Sequence, residues 1–195
     1  MAMPPPRLLL AAFTPELAGL DARPPPGWRV ACTGVGALAA ALETARLVAR
    51  ARPERVLFVG TCGAYDERLI VGDLLSAAEA VATSIDELEG RAYRPELEQT
   101  RWAAAWPLPF PAHSVAVPPA ITRTEEGALA LARVAAAEHL ELTGVFAACA
   151  AAGVPAAAAL AVANRVGPEA HREWQGNHQG ASRALVAALR ERGVL

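Results

Sequence analysis

No lysine occurs among the 195 residues. The 18 basic side chains are all arginine, so the chain has no amine for a Schiff base and no lysine for a phosphate loop. An excess of charge of either sign is missing too: the net charge is −2, and the four tryptophans are scattered with no basic patch around them, so a nucleic-acid partner is not expected. No uninterrupted apolar run approaches the roughly 20 residues that cross a bilayer, which predicts a soluble chain with no membrane partner. The opening "MAMPPPRLLLAAF" has one arginine before a short apolar run and no small-residue cleavage site after it. Leu8–Ala12 therefore reads as a first strand, and a cytoplasmic location is expected. Only three cysteines are present, Cys32, Cys62 and Cys149, in no CxxC pair, which points to small reduced core residues and not to a disulfide framework.

What is present reads as one domain over residues 1–195, long enough to bury about 70% of its unfolded surface. Strand Arg7–Ala12, strand Arg29–Thr33, helix Leu38–Ala51 stopped by Pro53, and strand Arg55–Val59 set an α/β rhythm. Val71–Thr83 fits strand or helix by composition, with Gly72-Asp73 favouring entry to a strand. Residues 86–119 are rich in Pro, Trp and acids and read as loop or excursion, with an apolar stretch Trp102–Phe110 that looks exposed. "EEGALALARVAAAEH" after Thr124 predicts a helix with acids in its first turn, and "GVFAACAAAG" a second helix ending at Gly153. A strand Ala156–Ala163 and an amphipathic closing helix Ser182–Arg192 complete the reading.

Two glycine signals interrupt this rhythm. Gly34-Val35-Gly36, between strand and helix, reads as a tight turn or as an anion or ribose contact; Ala39 holds the third glycine position of a dinucleotide fingerprint, which is thus incomplete. Gly60-Thr61-Cys62-Gly63 follows a β-branched strand and reads as a backbone bared for a ligand. His139, His171 and His178 have no metal-ligand spacing and read as surface or structural residues. Neither a metal nor an organic cofactor is implied.

Gly60–Gly63, the Val71-Gly72-Asp73 stretch some ten residues later, and Glu141 twelve residues ahead of Gly153 together resemble the purine nucleoside phosphorylase and nucleosidase superfamily. Glu16, after Thr14-Pro15, falls where that family has a glutamate at the exit of its first strand. "TRTEEGALALARVAAAEHLELTG" at 122–144 and "NRVGPEAHREW" at 164–174 are most similar to the futalosine hydrolases, nucleosidases of an alternative menaquinone pathway. The resemblance covers most of the chain apart from about residues 86–119, although the chain looks short for the family. It implies a three-layer α/β/α fold with a central mixed sheet, a small-molecule nucleoside substrate, and a homodimer or higher homo-oligomer.

Cleavage of an N-ribosidic bond builds positive charge on the sugar and negative charge on the base, so it calls for a carboxylate near the ribose and a donor at the purine. By resemblance, Glu141 would accept the ribose hydroxyls, Glu16 would hold or deprotonate a water, and Asn164 would face the base. Gly34, Gly60, Thr61, Cys62 and Gly63 would contact the substrate from the glycine segments; Phe13, Thr122, Leu140 and Trp174 would complete its surroundings. Each acid also has a plain structural reading, Glu141 as a solvated helix-start residue and Glu16 as a helix-terminal acid; Asn164 could simply cap a strand. Many family members have aspartate where this chain has Asn164. Asparagine donates a hydrogen bond but no proton, which resembles the solution of 6-oxopurine enzymes. Phe58 and Leu160 stand where relatives place arginines, which favours water over phosphate as nucleophile. The alternatives are a phosphorylase whose anion site uses Arg123 or a partner subunit, and a non-catalytic nucleoside-binding protein.

Overall fold

The computed structural model describes residues 4–20 and 24–195. Strand β1 (Arg7–Ala11), from the leucine run, pairs in parallel with β2 (Trp28–Cys32), Arg7 opposite Trp28. Helix α1 (Ala37–Ala51) is made of strong helix formers and ends where Arg52 turns left-handed (φ 44°) ahead of Pro53. There follow β3 (Val56–Ala64), β4 (Leu74–Ala82), α2 (Ile85–Leu88), β5 (Arg101–Ala103), β6 (Ala112–Val117), α3 (Glu125–Ala132), β7 (Ala137–Glu138), α4 (Leu142–Ala151), β8 (Ala156–Arg165) and α5 (Ala170–Glu191). Ser84 and Thr124 cap α2 and α3 by accepting from the amides of Glu87 and Gly127.

The eight strands form one mixed sheet. β3 lies between β1 and β8, parallel to both; β8 is antiparallel to β4, β4 parallel to β6, and β7 joins β6 back to β3. β3, β8, β4, β6 and β7 therefore close on themselves, with β2 and β5 as outer strands. Period-two alternation sends Leu8, Leu10, Phe58, Leu160 and Val162 toward α1 and α4, whose Val48, Phe146 and Cys149 cover them. Leu9, Leu57, Val59, Ala157 and Ala159 face the other way, onto Leu185 and Leu189 of α5. This is the three-layer α/β/α arrangement around a mixed sheet, with central strands apolar on both faces because both are covered.

Several elements differ from the sequence reading. β3 does not stop at Val59; it runs through Gly60–Ala64, wholly buried between β8 and β7, with a register shift at Cys62/Gly63. Residues 86–119 hold α2, β5 and β6, and in the Trp102–Phe110 stretch Leu108 and Phe110 are buried (8% and 7% exposed) in the core under α5 and Trp102 and Trp106 are half-buried, while Ala103, Ala105, Pro107 and Pro109 are exposed. The helix expected to reach His139 ends at Ala132, because the Ala136 amide bonds Ser114 O and the chain enters the sheet as β7; pairing outweighs the helix propensity of the alanines. α5 begins at Ala170, twelve residues before Ser182, and continues through Gly176 and Gly180. β8 extends to Arg165, placing Asn164 within the strand, and the ambiguous 71–83 segment is strand over Leu74–Ala82. Among the described residues no helix is long and apolar enough to cross a membrane, and the three cysteines are free.

Candidate active site

The parallel strands β1, β3 and β8 all deliver their carboxyl ends to one cavity of about 370 Å³, a volume typical of small-molecule sites. Beyond β1 the chain turns at Phe13 into a short 3-10 helix, Thr14–Leu17, with Pro15 in its first turn, and Glu16 on it points back to β3. Glu16 Oε1 accepts from the amide and the hydroxyl of Thr61, both at 2.8 Å, and Oε2 accepts from the Ala12 amide at 3.1 Å. Burial nevertheless raises its pKa from 4.5 to about 7: lost hydration outweighs the Thr61 hydrogen bonds, and the charge of Glu141 pushes the same way. Trp174 Nε1 donates to Thr61 Oγ at 3.1 Å, so the Thr61 proton is committed to Glu16. Burial and the neighbouring Glu16 push the Cys62 thiol up, which keeps it protonated and unreactive.

Glu141 is the N-cap residue of α4, 5% exposed, and its Oε1 accepts from the Gly36 amide at 2.7 Å. Gly34 and Gly36 adopt φ of 83° and 91°, a turn that aims the amide at this carboxylate. Gly36 caps α1, so the charge of Glu141 sits at two helix N-termini, where it is favoured. His139 lies behind it: the Glu141 amide donates to His139 Nδ1 at 3.1 Å, and Phe58 meets the ring edge-on. Glu141 Oε2 is also 3.1 Å from Nδ1, but burial lowers the His139 pKa, more than the carboxylate raises it, which disfavours the charged ring.

On the opposite wall, Asn164 pairs with Gly63 across the sheet and its Nδ2 donates to Arg165 O at 2.8 Å. A Cβ at Gly63 would come within 2.9 Å of that nitrogen, so the glycine makes room for the amide. Glu138 Oε1 accepts from the Thr122 amide and Oε2 from the Tyr65 hydroxyl, each at 3.0 Å, and burial raises its pKa. α5 adds Trp174, stacked between His171 and His178 at 15–18° interplanar angles and 6.0 Å from Phe13.

A family model for the phosphorylase superfamily matches residues 28–139, more than half of the sequence. The chain belongs to the phosphorylase superfamily. Its fold is that of a 5′-methylthioadenosine/S-adenosylhomocysteine nucleosidase from Helicobacter pylori, with a TM-score of 0.82 at 17% identity over 97% of this chain and 98% of that one. A futalosine hydrolase mutant from the same organism matches with a TM-score of 0.80 at 18% identity, over 96% and 98%. The corresponding nucleosidase of Colwellia psychrerythraea, solved with adenine, matches with 0.77 at 19%, over 92% and 90%. The chain thus spans nearly the full length of these structures and is not short beside them. No curated protein gives a significant sequence match.

Within this superfamily member, nine of the twelve residues expected at the site line the cavity: Phe13, Glu16, Thr61, Cys62, Gly63, Leu140, Glu141, Asn164 and Trp174. Gly34, Gly60 and Thr122 do not line it. Gly34 shapes the turn behind Glu141, Gly60 lies under Glu16 and His139, and Thr122 stands behind Glu138. The sequence reading missed Glu138, His139, Val35, Ile121 and His171, all of which line the cavity. Charged and polar groups inside the apolar run 134–146 were the available signal, since a buried ionisable group must be partnered. Reading the stretch up to His139 as the end of one helix hid it. Among the described residues no arginine lines the cavity, and Leu160 is wholly buried in β8.

Proposed function

We propose that this chain is an N-ribosyl hydrolase that cleaves the N-glycosidic bond of a purine nucleoside derivative. One observation carries the reading: Glu16 and Glu141 are both buried in one cavity whose lining, among the described residues, includes no arginine or lysine. Phosphate binds through charge-assisted donors, and such donors are missing from the lining, whereas a carboxylate with a pKa of about 7 suits a base that activates water near neutral pH. Glu141, with Oε1 held by Gly36, presents Oε2 to the ribose hydroxyls and stabilises the oxocarbenium-like sugar. Asn164 donates its second N–H to the leaving base, and its carbonyl and amide pair suits a 6-oxopurine, as in futalosine. Trp174, Phe13 and His171 close the apolar end of the cavity.

Val35 and Ile121, at the cavity wall, are 62% and 55% exposed, and the apolar surface continues along α1 through Leu38 and Leu42. That surface supports a homo-oligomer with the partner seated beside the mouth. The composition and the nucleosidase fold support action in the cytoplasm. The test is incubation with futalosine, aminofutalosine, methylthioadenosine, inosine and adenosine, with and without phosphate, followed by chromatography of the free base. Base release without phosphate is expected. Release strictly dependent on phosphate would make the protein a phosphorylase, and tight binding with no release a nucleoside-binding protein; either result sinks the hydrolase reading.

A further inference from the structure

Two polar atoms converge on the bare backbone of Gly60. The position a Cβ would occupy there is 3.2 Å from Glu16 Oε1, 3.1 Å from His139 Nε2 and 3.0 Å from a Phe58 ring carbon, so any side chain at residue 60 would crowd all three. His139 is 3% exposed and lines the cavity. Its Nδ1 meets both the Glu141 amide and Glu141 Oε2 at 3.1 Å; the amide can only donate, so it takes the Nδ1 lone pair and in a neutral ring leaves the proton on Nε2. Nε2 makes no hydrogen bond among the described residues and is not one of the sealed side-chain atoms left without a partner, so on a residue that lines the cavity it is free for a molecule held there. The other nitrogen side chains of the cavity are placed differently: Trp174 donates to Thr61, Asn164 to Arg165 O, and His171 is exposed on α5. Among the described lining residues, His139 is the one with an uncommitted ring nitrogen beside the carboxylate that would activate water.

We infer that His139 is a further catalytic residue of the hydrolysis proposed above, its Nε2–H and Glu16 Oε1 together holding the attacking water over Gly60; the inference rests on the hydrolase reading. The water donates one proton toward Glu16 and accepts from Nε2–H, which fixes its remaining lone pair toward the anomeric carbon. As the new C–O bond forms, the electron pair of the C–N bond leaves with the base, the water proton passes to Glu16, and the base takes up a proton from solvent. A glycine at position 60 leaves the two polar atoms and the Phe58 ring their places around this spot.

Two variants separate this role from simple support of Glu141. His139→Asn places an oxygen near the Nδ1 position and keeps the bond to the Glu141 amide, but removes the donor over Gly60; His139→Gln places an N–H near Nε2 and gives up the bond. With the best-cleaved nucleoside of the five, His139→Asn is expected to lose about 10² in kcat with KM within about threefold, and His139→Gln to lose less than about tenfold. The reverse order, or a wild-type rate in His139→Asn, overturns the inference while the hydrolase reading stands. A wild-type protein that releases no base overturns both. Should the variants not fold, the ¹⁵N spectrum of histidine-labelled wild type decides: His139 is expected as the neutral ring protonated on Nε2, and an Nδ1-protonated or cationic ring refutes the assignment.

Discussion

Replacing Glu16 by glutamine removes one buried charge and leaves a side chain of nearly the same shape. In the folded protein the carboxyl titrates at about 7 because burial strips its hydration, while in the unfolded chain it titrates near 4.5. Between those values the native state holds a proton that the unfolded state has lost, so unfolding free energy falls as pH rises through this window. The fall from this one group is about 3 kcal/mol, complete once the pH exceeds the folded pKa. Glutamine has no such slope. It does lose the bond from the Ala12 amide to Oε2, since its NH₂ would face that donor, a pH-independent cost of about 1–3 kcal/mol. Urea unfolding of both proteins from pH 4.5 to 8 isolates the effect, because other carboxylates cancel in the difference. The stability advantage of the wild type should shrink by about 3 kcal/mol across the range and level off above pH 7. In parallel, kcat/KM of the wild type should drop about tenfold per pH unit below 7, as a base must be ionised to accept a proton. A constant stability difference, or a rate that stays flat to pH 5, would refute the account of Glu16.

Three further expectations rest on other contacts. Asn164→Asp would place a protonatable group beside the base, so turnover of 6-amino purines should rise relative to 6-oxo purines; an unmoved ratio of kcat/KM between paired substrates means that Asn164 does not read the base. Gly144→Ala would put a methyl 2.0 Å from Ala37 O, where α4 meets the start of α1, and should cost about 3 kcal/mol or more by thermal melting; unchanged stability would contradict that close approach. Sedimentation should show a homo-oligomer that Leu38→Arg dissociates, since residue 38 is 76% exposed on the apolar stripe of α1; an active 20.3 kDa monomer in the wild type would remove the case for a partner at the cavity mouth.

The legible parts of this protein are those whose signal is local. Apolar runs bounded by Pro and Gly mark β1, β3 and β8; Ala, Leu, Glu and Arg mark α1; and Glu16, Glu141 and Asn164 are singled out by the family resemblance, each lying just after a regular element or at its end. Composition by itself excluded a Schiff-base lysine and disfavoured a nucleic-acid surface. Non-local pairing settled the remainder. Residues 133–139 have helix-forming composition, yet they become β7 because β3 and β6 offer open backbone groups on either side, and that exchange brings Glu138 and His139 to the cavity. The glycines of β3 read as a bared backbone beyond the strand when only neighbours in sequence are considered; in the fold they are strand residues kept small by Phe58, Glu16, His139, Asn164 and Val166 packed against them. The raised pKa of Glu16 arises from burial, and burial is a property of the assembled layers and of no single segment.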